Sequence, residues 1–230
     1  MLSVERLSFS YDGVQALSDI SLSAEEGKIT CVLGRNGVGK TTLLKNIIGL
    51  LRASTGRVTV NDRDLTALPA NARARSGIGF VPQGRQIFPR ISVVENLRVG
   101  LEAKKGARDI PGEIYDLFPV LQEMRSRMGG DLSGGQQQQL AIARALVSQP
   151  KVLLLDEPTE GIQPNIIKQI GSVLTMLARE RGMTIVLVEQ YLDFVRNIGD
   201  TFYVLNRGGV VASGLTSDLD EDLIHRHLSA

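Results

Sequence analysis

The sequence predicts an α/β fold in which helices flank a parallel sheet, and three features carry that prediction. Gly34-Arg35-Asn36-Gly37-Val38-Gly39-Lys40-Thr41-Thr42 satisfies the pattern GxxxxGK[ST] in full; a short β-rich segment, Lys28–Leu33, precedes it and apolar residues at helical spacing, Thr42–Ile48, follow. Lys151–Asp156 is an unbroken apolar run closed by an acid, as in a strand buried on both faces of a parallel sheet. Thr184–Val188 is one more buried strand of that kind.

Taken in order, Leu2–Tyr11 alternates polar and apolar residues and stops at Asp12-Gly13, so it reads as a half-buried strand ended by a turn. Another strand is expected at Ile20–Leu22. Phe9 and Tyr11 share one strand face; strand aromatics usually enter a core, and the alternative is that one of the two stacks on a nucleobase. Gly56–Asp62 reads as a strand entering a turn, and Ile78–Val81 as a buried strand that Pro82 ends. Gln83 follows at once, either a turn glutamine or a ligand contact at the carboxyl end of a parallel strand.

Residues 87–147 carry few strand signals and read as a helical insert. Ser92-Val93-Val94-Glu95 is a capping box opening a helix that carries Leu97, and further helical segments fall within Gly112–Arg127. Ser133 with Gln136 makes a second capping box, and Leu140, Ala143 and Leu146 or Val147 supply the apolar stripe behind it. Gly134 and Gly135 leave room for an anion at that helix start, which a structural cap alone does not require. Further on, Thr201–Leu205 and Val210–Ala212 flank Asn206-Arg207-Gly208-Gly209 as a hairpin, and Asp218–Leu228 reads as a helix. His225 and His227 have no acid or cysteine at metal spacing and are expected on the surface.

A chain of 230 residues and 25.0 kDa suits one domain with a subdomain and buries roughly 70 to 75% of its unfolded surface. The single cysteine, Cys31, precludes an intramolecular disulfide and reads as an inert core thiol. No apolar run approaches the roughly 18 residues of a membrane span, and the N-terminus lacks a signal-peptide core, so a cytoplasmic protein is expected. Net charge of +1 and 4% aromatic residues argue against an extended nucleic-acid surface. Between Arg63 and Arg108, nine Lys or Arg (Arg73, Arg90 and Lys105 among them) face three Asp or Glu, which is either a solvated face or a surface apposed to a membrane or membrane protein.

The chemistry concentrates on two pieces of the chain. Glycines 34, 37 and 39 let the backbone turn and aim N–H groups at an anion; Lys40 adds a point charge for the β and γ phosphates, and the Thr41 hydroxyl can ligate Mg²⁺. The helix that follows adds its orphan donors and positive dipole end. Asp156, at the end of its strand, can hold Mg²⁺ through water, and Glu157 is placed to polarise an attacking water.

The phosphate loop, Gln83, the segment Leu132-Ser133-Gly134-Gly135-Gln136 and the apolar Asp-Glu strand, in that order, resemble the ATP-binding subunits of ABC transporters. The resemblance implies one ABC ATP-binding domain over 1–230: a phosphate-loop core, a small antiparallel β-subdomain and a helical subdomain at about 87–147. It implies Mg-ATP held by Gly34, Asn36, Gly37, Gly39, Lys40, Thr41 and Thr42 of one chain and by Ser133, Gly134 and Gly135 of another, the two facing head to tail. It implies Tyr11 as the adenine platform, Thr41, Gln83 and Asp156 about the metal, and Glu157, Lys40, Gln83 and Gln190 as catalytic residues.

Within the family, Gln83-Gly84-Arg85-Gln86-Ile87-Phe88-Pro89 and Val188-Glu189-Gln190 look like the branched-chain amino acid group. Gln136–Gln139 and Pro158-Thr159-Glu160-Gly161-Ile162-Gln163-Pro164 look closer to the second ATP-binding subunit of urea transporters. The implied partners are integral-membrane permease subunits, contacted around Phe88, Pro89 and Arg90, and a homologous ATP-binding subunit as heterodimer or homodimer. An extracytoplasmic solute-binding protein is reached indirectly, with no nucleic acid, and the implied location is the cytoplasmic face of the inner membrane. Two departures stand out: Gln190 replaces the usual histidine and cannot become cationic, and Gln163-Pro164 occupy the place of an aspartate usual near the dimer interface.

Overall fold

The computed structural model describes residues 1–104 and 106–228, with only the backbone of Glu221 and His227; Lys105 of the basic stretch and the His227 side chain lie outside this description. β1 (Leu2–Tyr11) and β2 (Val14–Ala24) form an antiparallel hairpin across a left-handed Asp12-Gly13 turn. β2 runs well beyond Ile20–Leu22, because pairing with β1 supplies ladder bonds to residues whose own composition is polar. β3 (Ile29–Leu33) leads into α1 (Lys40–Ile48), which the left-handed Gly49 ends. β4 (Thr55–Val60) and β5 (Arg63–Asp64) enclose Asn61-Asp62, both at positive φ, the geometry that two-residue hairpins favour. α2 (Ala70–Arg75) and β6 (Ile78–Val81) follow. β5 and α2 are too short to show a period in the sequence.

Between β6 and residue 152 the described residues form α3 (Val93–Leu101), α4 (Glu113–Leu117), α5 (Pro119–Glu123), a 3-10 turn (Gly129–Asp131) and α6 (Gly134–Leu146). Both expected capping boxes are present, on Ser92 with Glu95 and on Ser133 with Gln136. β7 (Val152–Asp156) is followed by α7 (Pro164–Arg181), which the sequence analysis passed over although Pro164 at its first position and the left-handed Gly182 at its end mark it. β8 (Thr184–Val188), α8 (Leu192–Ile198), β9 (Thr201–Asn206), β10 (Gly209–Leu215) and α9 (Glu221–His227) complete the chain. The hairpin of β9 and β10 is longer than its apolar cores suggested, again because paired backbones recruit polar and glycine positions.

β2, β1, β4 and β5 make an antiparallel sheet; the larger sheet runs β10-β9-β3-β8-β7-β6, parallel except for β10. The larger sheet is covered on both faces, which explains its uninterrupted apolar strands. Leu153, Leu155, Ile185 and Leu187 join a core with α3, α6 and α7, whereas Val152, Leu154, Val186 and Val188 join a second core with α1 and the antiparallel sheet. Each such side chain contributes roughly 1.5 to 3 kcal/mol by leaving water. Cys31 is fully buried between the strands, and burial, with Glu189 and Asp200 nearby, pushes its thiol pKa well up.

Arg73 departs from both readings of the basic stretch. It is 4% exposed and lies inside the fold, donating from Nη1 to the Asn46 and Ile47 carbonyls (2.8 Å each), from Nη2 to that of Thr66 (2.7 Å) and from Nε to that of Leu68 (2.9 Å). A guanidinium satisfies the orphan carbonyls at the end of α1 because it carries five donors in one plane. Gly49 makes the space, since a Cβ there would sit 2.9 Å from Arg73 Nε.

Candidate active site

Parallel strands deliver their carboxyl ends to one edge, and here the ends of β3, β6, β7 and β8 converge. Gly34 (φ 151°) and Gly39 (φ 108°) fold the loop after β3 tightly against its neighbours. A Cβ would lie 2.5 Å from the Leu205 carbonyl oxygen at the first and 2.8 Å from that of Ala16 at the second, so only glycine fits. The first N–H groups of α1 have no side-chain cap, which keeps them and the helix dipole available to an anion.

Lys40 is 5% exposed and curls back into the loop. Its Nζ donates to the carbonyls of Gly34 (2.7 Å) and Arg35 (3.0 Å) and lies 3.4 Å from Glu157 Oε1. Thr41 Oγ1 donates to Asp156 Oδ1 at 3.2 Å, while the buried Asp156 Oδ2 has no hydrogen-bond partner. Burial, the largest influence on Asp156, raises its carboxyl pKa above the ordinary carboxylate range. A hydroxyl beside a buried oxygen without a donor is the hard-oxygen pair that Mg²⁺ takes, so these two residues fit that ion.

Glu157 is the hub of the cluster. Its backbone is left-handed (φ 48°), a strained conformation costing of order 1–3 kcal/mol that the surroundings impose; its N–H donates to the Val188 carbonyl at 2.9 Å. Gln190 Nε2 donates to Glu157 Oε1 at 2.6 Å and to Asn36 Oδ1 at 2.7 Å. Gln83 Nε2 donates to Glu157 Oε2 at 3.0 Å and to Glu160 Oε2 at 3.1 Å. Lys40, Asn36, Gln83, Glu157 and Gln190 are thus one connected group, in which a carboxylate is aimed and held. Both of these Gln83 bonds come from its amide nitrogen.

The remaining predicted residues divide. Tyr11 is 44% exposed with its hydroxyl 3.4 Å from Thr42 Oγ1, beside the loop, and Phe9 packs edge-on against it while leaning on the second core. Ser133, Gly134 and Gly135 line a different hollow, formed with residues of α4, α5 and α7 and including nothing of the 34–42 loop. Within this chain, therefore, the two glycine-rich helix starts do not meet. Phe88 and Arg90 are exposed, and the guanidinium of the half-buried Arg144 lies 5.1 Å from the centre of the Phe88 ring and donates to the Gln86 carbonyl at 2.8 Å.

Two carboxylates of this edge were missed from the sequence, Glu160 and Glu189. Glu189 follows the apolar strand β8 as Glu157 follows β7, so the rule that singled out the acids closing β7 also reaches it.

Comparison with known proteins agrees with this geometry. Residues 17–160 match the family described as ABC transporter. The high-affinity branched-chain amino acid transport ATP-binding protein BraG of Pseudomonas aeruginosa is 41% identical over 92% of this chain and 91% of its own length. A probable branched-chain amino acid transport ATP-binding protein, LivF, of Archaeoglobus fulgidus is 36% identical over 96% of this chain and 94% of its own, and the lipopolysaccharide export ATP-binding protein LptB of Haemophilus influenzae is 34% identical over 96% and 93%. Among solved structures, a nucleotide-free ATP-binding cassette from an ABC transporter superposes with TM-score 0.82 at 30% identity, covering 100% of this chain and 95% of that one. A dimeric cassette in a post-hydrolysis state with ADP and phosphate does so with TM-score 0.84 at 26% identity, covering 94% and 99%.

Proposed function

The chain belongs to the ABC transporter family, as an ATP-binding subunit and an ATPase that energises transport, and from that footing we propose that it powers an importer of the branched-chain amino acid and urea group. The observation that carries the catalytic half is the Glu157 carboxylate, held by Gln83 and Gln190 beside Lys40. Glu157 takes the proton of the attacking water as general base. Lys40 leaves its carbonyl partners for the β and γ phosphates, and the uncapped start of α1 binds them through N–H groups. Thr41 and Asp156, with Gln83, would hold Mg²⁺, whose charge would offset that of the phosphates. Tyr11 supports the adenine from beside the loop.

Ser133, Gly134 and Gly135 complete the site from a second ATP-binding subunit, since in this chain they stand apart from the loop. That second subunit is a homologous chain or another copy of this one. Among the described residues no helix is long and apolar enough to cross a membrane, so separate permease subunits carry the solute and dock about Phe88, Pro89 and Arg90 at the inner face of the membrane. A solute-binding protein delivers to them from the other side.

Two cargoes remain in view, each with its own support. Gln136–Gln139 and Pro158–Pro164 favour urea; the 41% identity to BraG favours a branched-chain amino acid. The test is uptake of labelled urea and labelled leucine by source cells lacking this chain, complemented with the parent or with Glu157→Gln. Selective loss of urea uptake establishes urea, and loss of leucine uptake alone establishes the amino acid. Unchanged uptake of both overturns the importer.

A further inference from the structure

Glu189 is a carboxylate buried to 2% exposure, next to the site and outside the catalytic scheme above. All of its lone pairs are engaged. Oε1 accepts from the Thr159 N–H (3.0 Å) and the Thr159 hydroxyl (2.8 Å), and Oε2 from the N–H groups of Gln190 (3.0 Å) and Tyr191 (3.4 Å). Its own N–H donates to the Val32 carbonyl at 3.3 Å, at the end of the strand that leads to the phosphate loop. The buried side chain therefore ties two turns together, the one after β7 that carries Glu157 and the one after β8 that carries Gln190, and the backbone of the same residue joins them to the end of β3.

Burying a carboxylate is expensive, and four donors are what a carboxylate needs in place of water. A structural bridge between two turns can be made by a neutral serine or asparagine; a saturated carboxylate fixes two backbone segments at both of its oxygens. What those segments present to each other is the 2.6 Å contact between the Gln190 amide and Glu157 Oε1. The Glu157 N–H bond to the Val188 carbonyl (2.9 Å) already joins the two segments where the sheet ladder ends, and the Glu189 side chain adds four bonds just beyond it, on the residues that flank the contact.

We infer that Glu189 is a positioning residue for ATP hydrolysis: it fastens the Glu157 turn to the Gln190 turn and so holds the base in line. The inference rests on the assignment of Glu157 above. Glutamine at 189 would turn an amide donor toward backbone N–H groups, and aspartate is one methylene short of spanning both turns.

The test is steady-state hydrolysis of Mg-ATP by the full chain assembled with its permease in vesicles, comparing the parent, Glu189→Gln, Gln190→Ala, the double variant and Thr159→Val. Misplacing a reacting group by an ångström costs up to about 100-fold, so Glu189→Gln should lower kcat by about 10-fold to 100-fold with KM within about twofold. In the Gln190→Ala background the same change should cost little more, because both act through one contact. An unchanged kcat, a rise in KM that matches the loss, or a loss that adds in full to that of Gln190→Ala overturns the inference. Should Glu189→Gln fail to assemble, Thr159→Val removes one of the four donors and is expected to lower kcat about twofold to tenfold at unchanged KM; a parental kcat then overturns it. Glu157→Gln run alongside separates the two failures: if it turns over normally the base assignment falls, and if only the Glu189 variants do, the inference alone falls.

Discussion

Two helices of this chain begin at glycine-rich turns, and they are finished in opposite ways. α1 starts at Lys40 behind the left-handed Gly39, with no side-chain cap and with a buried ammonium folded onto its own loop and onto Glu157. α6 starts at Gly134 with a reciprocal box: Ser133 N–H donates to Gln136 Oε1 at 2.9 Å and Gln136 N–H to Ser133 Oγ at 3.4 Å. Both starts carry a positive helix end, but the first leaves its donors open beside the connected side chains of Lys40, Asn36, Gln83, Glu157 and Gln190. The second is internally satisfied and stands in a separate hollow. An uncapped start forfeits stability of about 1 kcal/mol relative to a capped one. On the proposed function that cost falls where a phosphate would itself serve as the cap, at α1 and not at α6.

Substitutions at the two starts break or sharpen this contrast. The largest effect belongs to Glu157→Gln, which should bind ATP as the parent does and lose turnover by about 100-fold or more, as measured by phosphate release; normal turnover would take the carboxylate hub out of the chemistry. Next comes Lys40→Ala, for which nucleotide affinity in a fluorescence titration should weaken by roughly 1.5 to 3 kcal/mol, the range of a charge-assisted contact. Equal affinity would make the two helix starts equivalent. The smallest is Ser133→Ala, which removes one capping bond and should cost about 1 kcal/mol in thermal stability while leaving the affinity of the isolated chain for ATP intact. A fall in that affinity would place Ser133 in the same-chain site and erase the distinction.

Much of this was legible because it is local. The phosphate loop needs its glycines in adjacent turns, the capping boxes need two residues three apart, and buried parallel strands advertise themselves by composition; each became an element at the expected place. Strand lengths escaped, as at β2 and β10, since hydrogen bonding to a partner extends a strand past its apolar residues. So did Arg73, whose charge reads as surface in the sequence and whose partners are carbonyls 5 to 27 residues away.

The sequence by itself determined the local pieces: an ammonium and a hydroxyl in a glycine-rich loop between a strand and a helix, and two acids at the end of an apolar run. Tertiary structure alone decided how these groups are held. Glu157 meets Gln83 and Gln190 across separations of 74 and 33 residues, and Asn36 meets Gln190 across 154. Such contacts depend on strand order, β6 beside β7 beside β8 beside β3, and sheet order is settled by packing two cores at once. Periodicity along the chain says which face of a strand is buried, and it carries no information on which strand lies next to it.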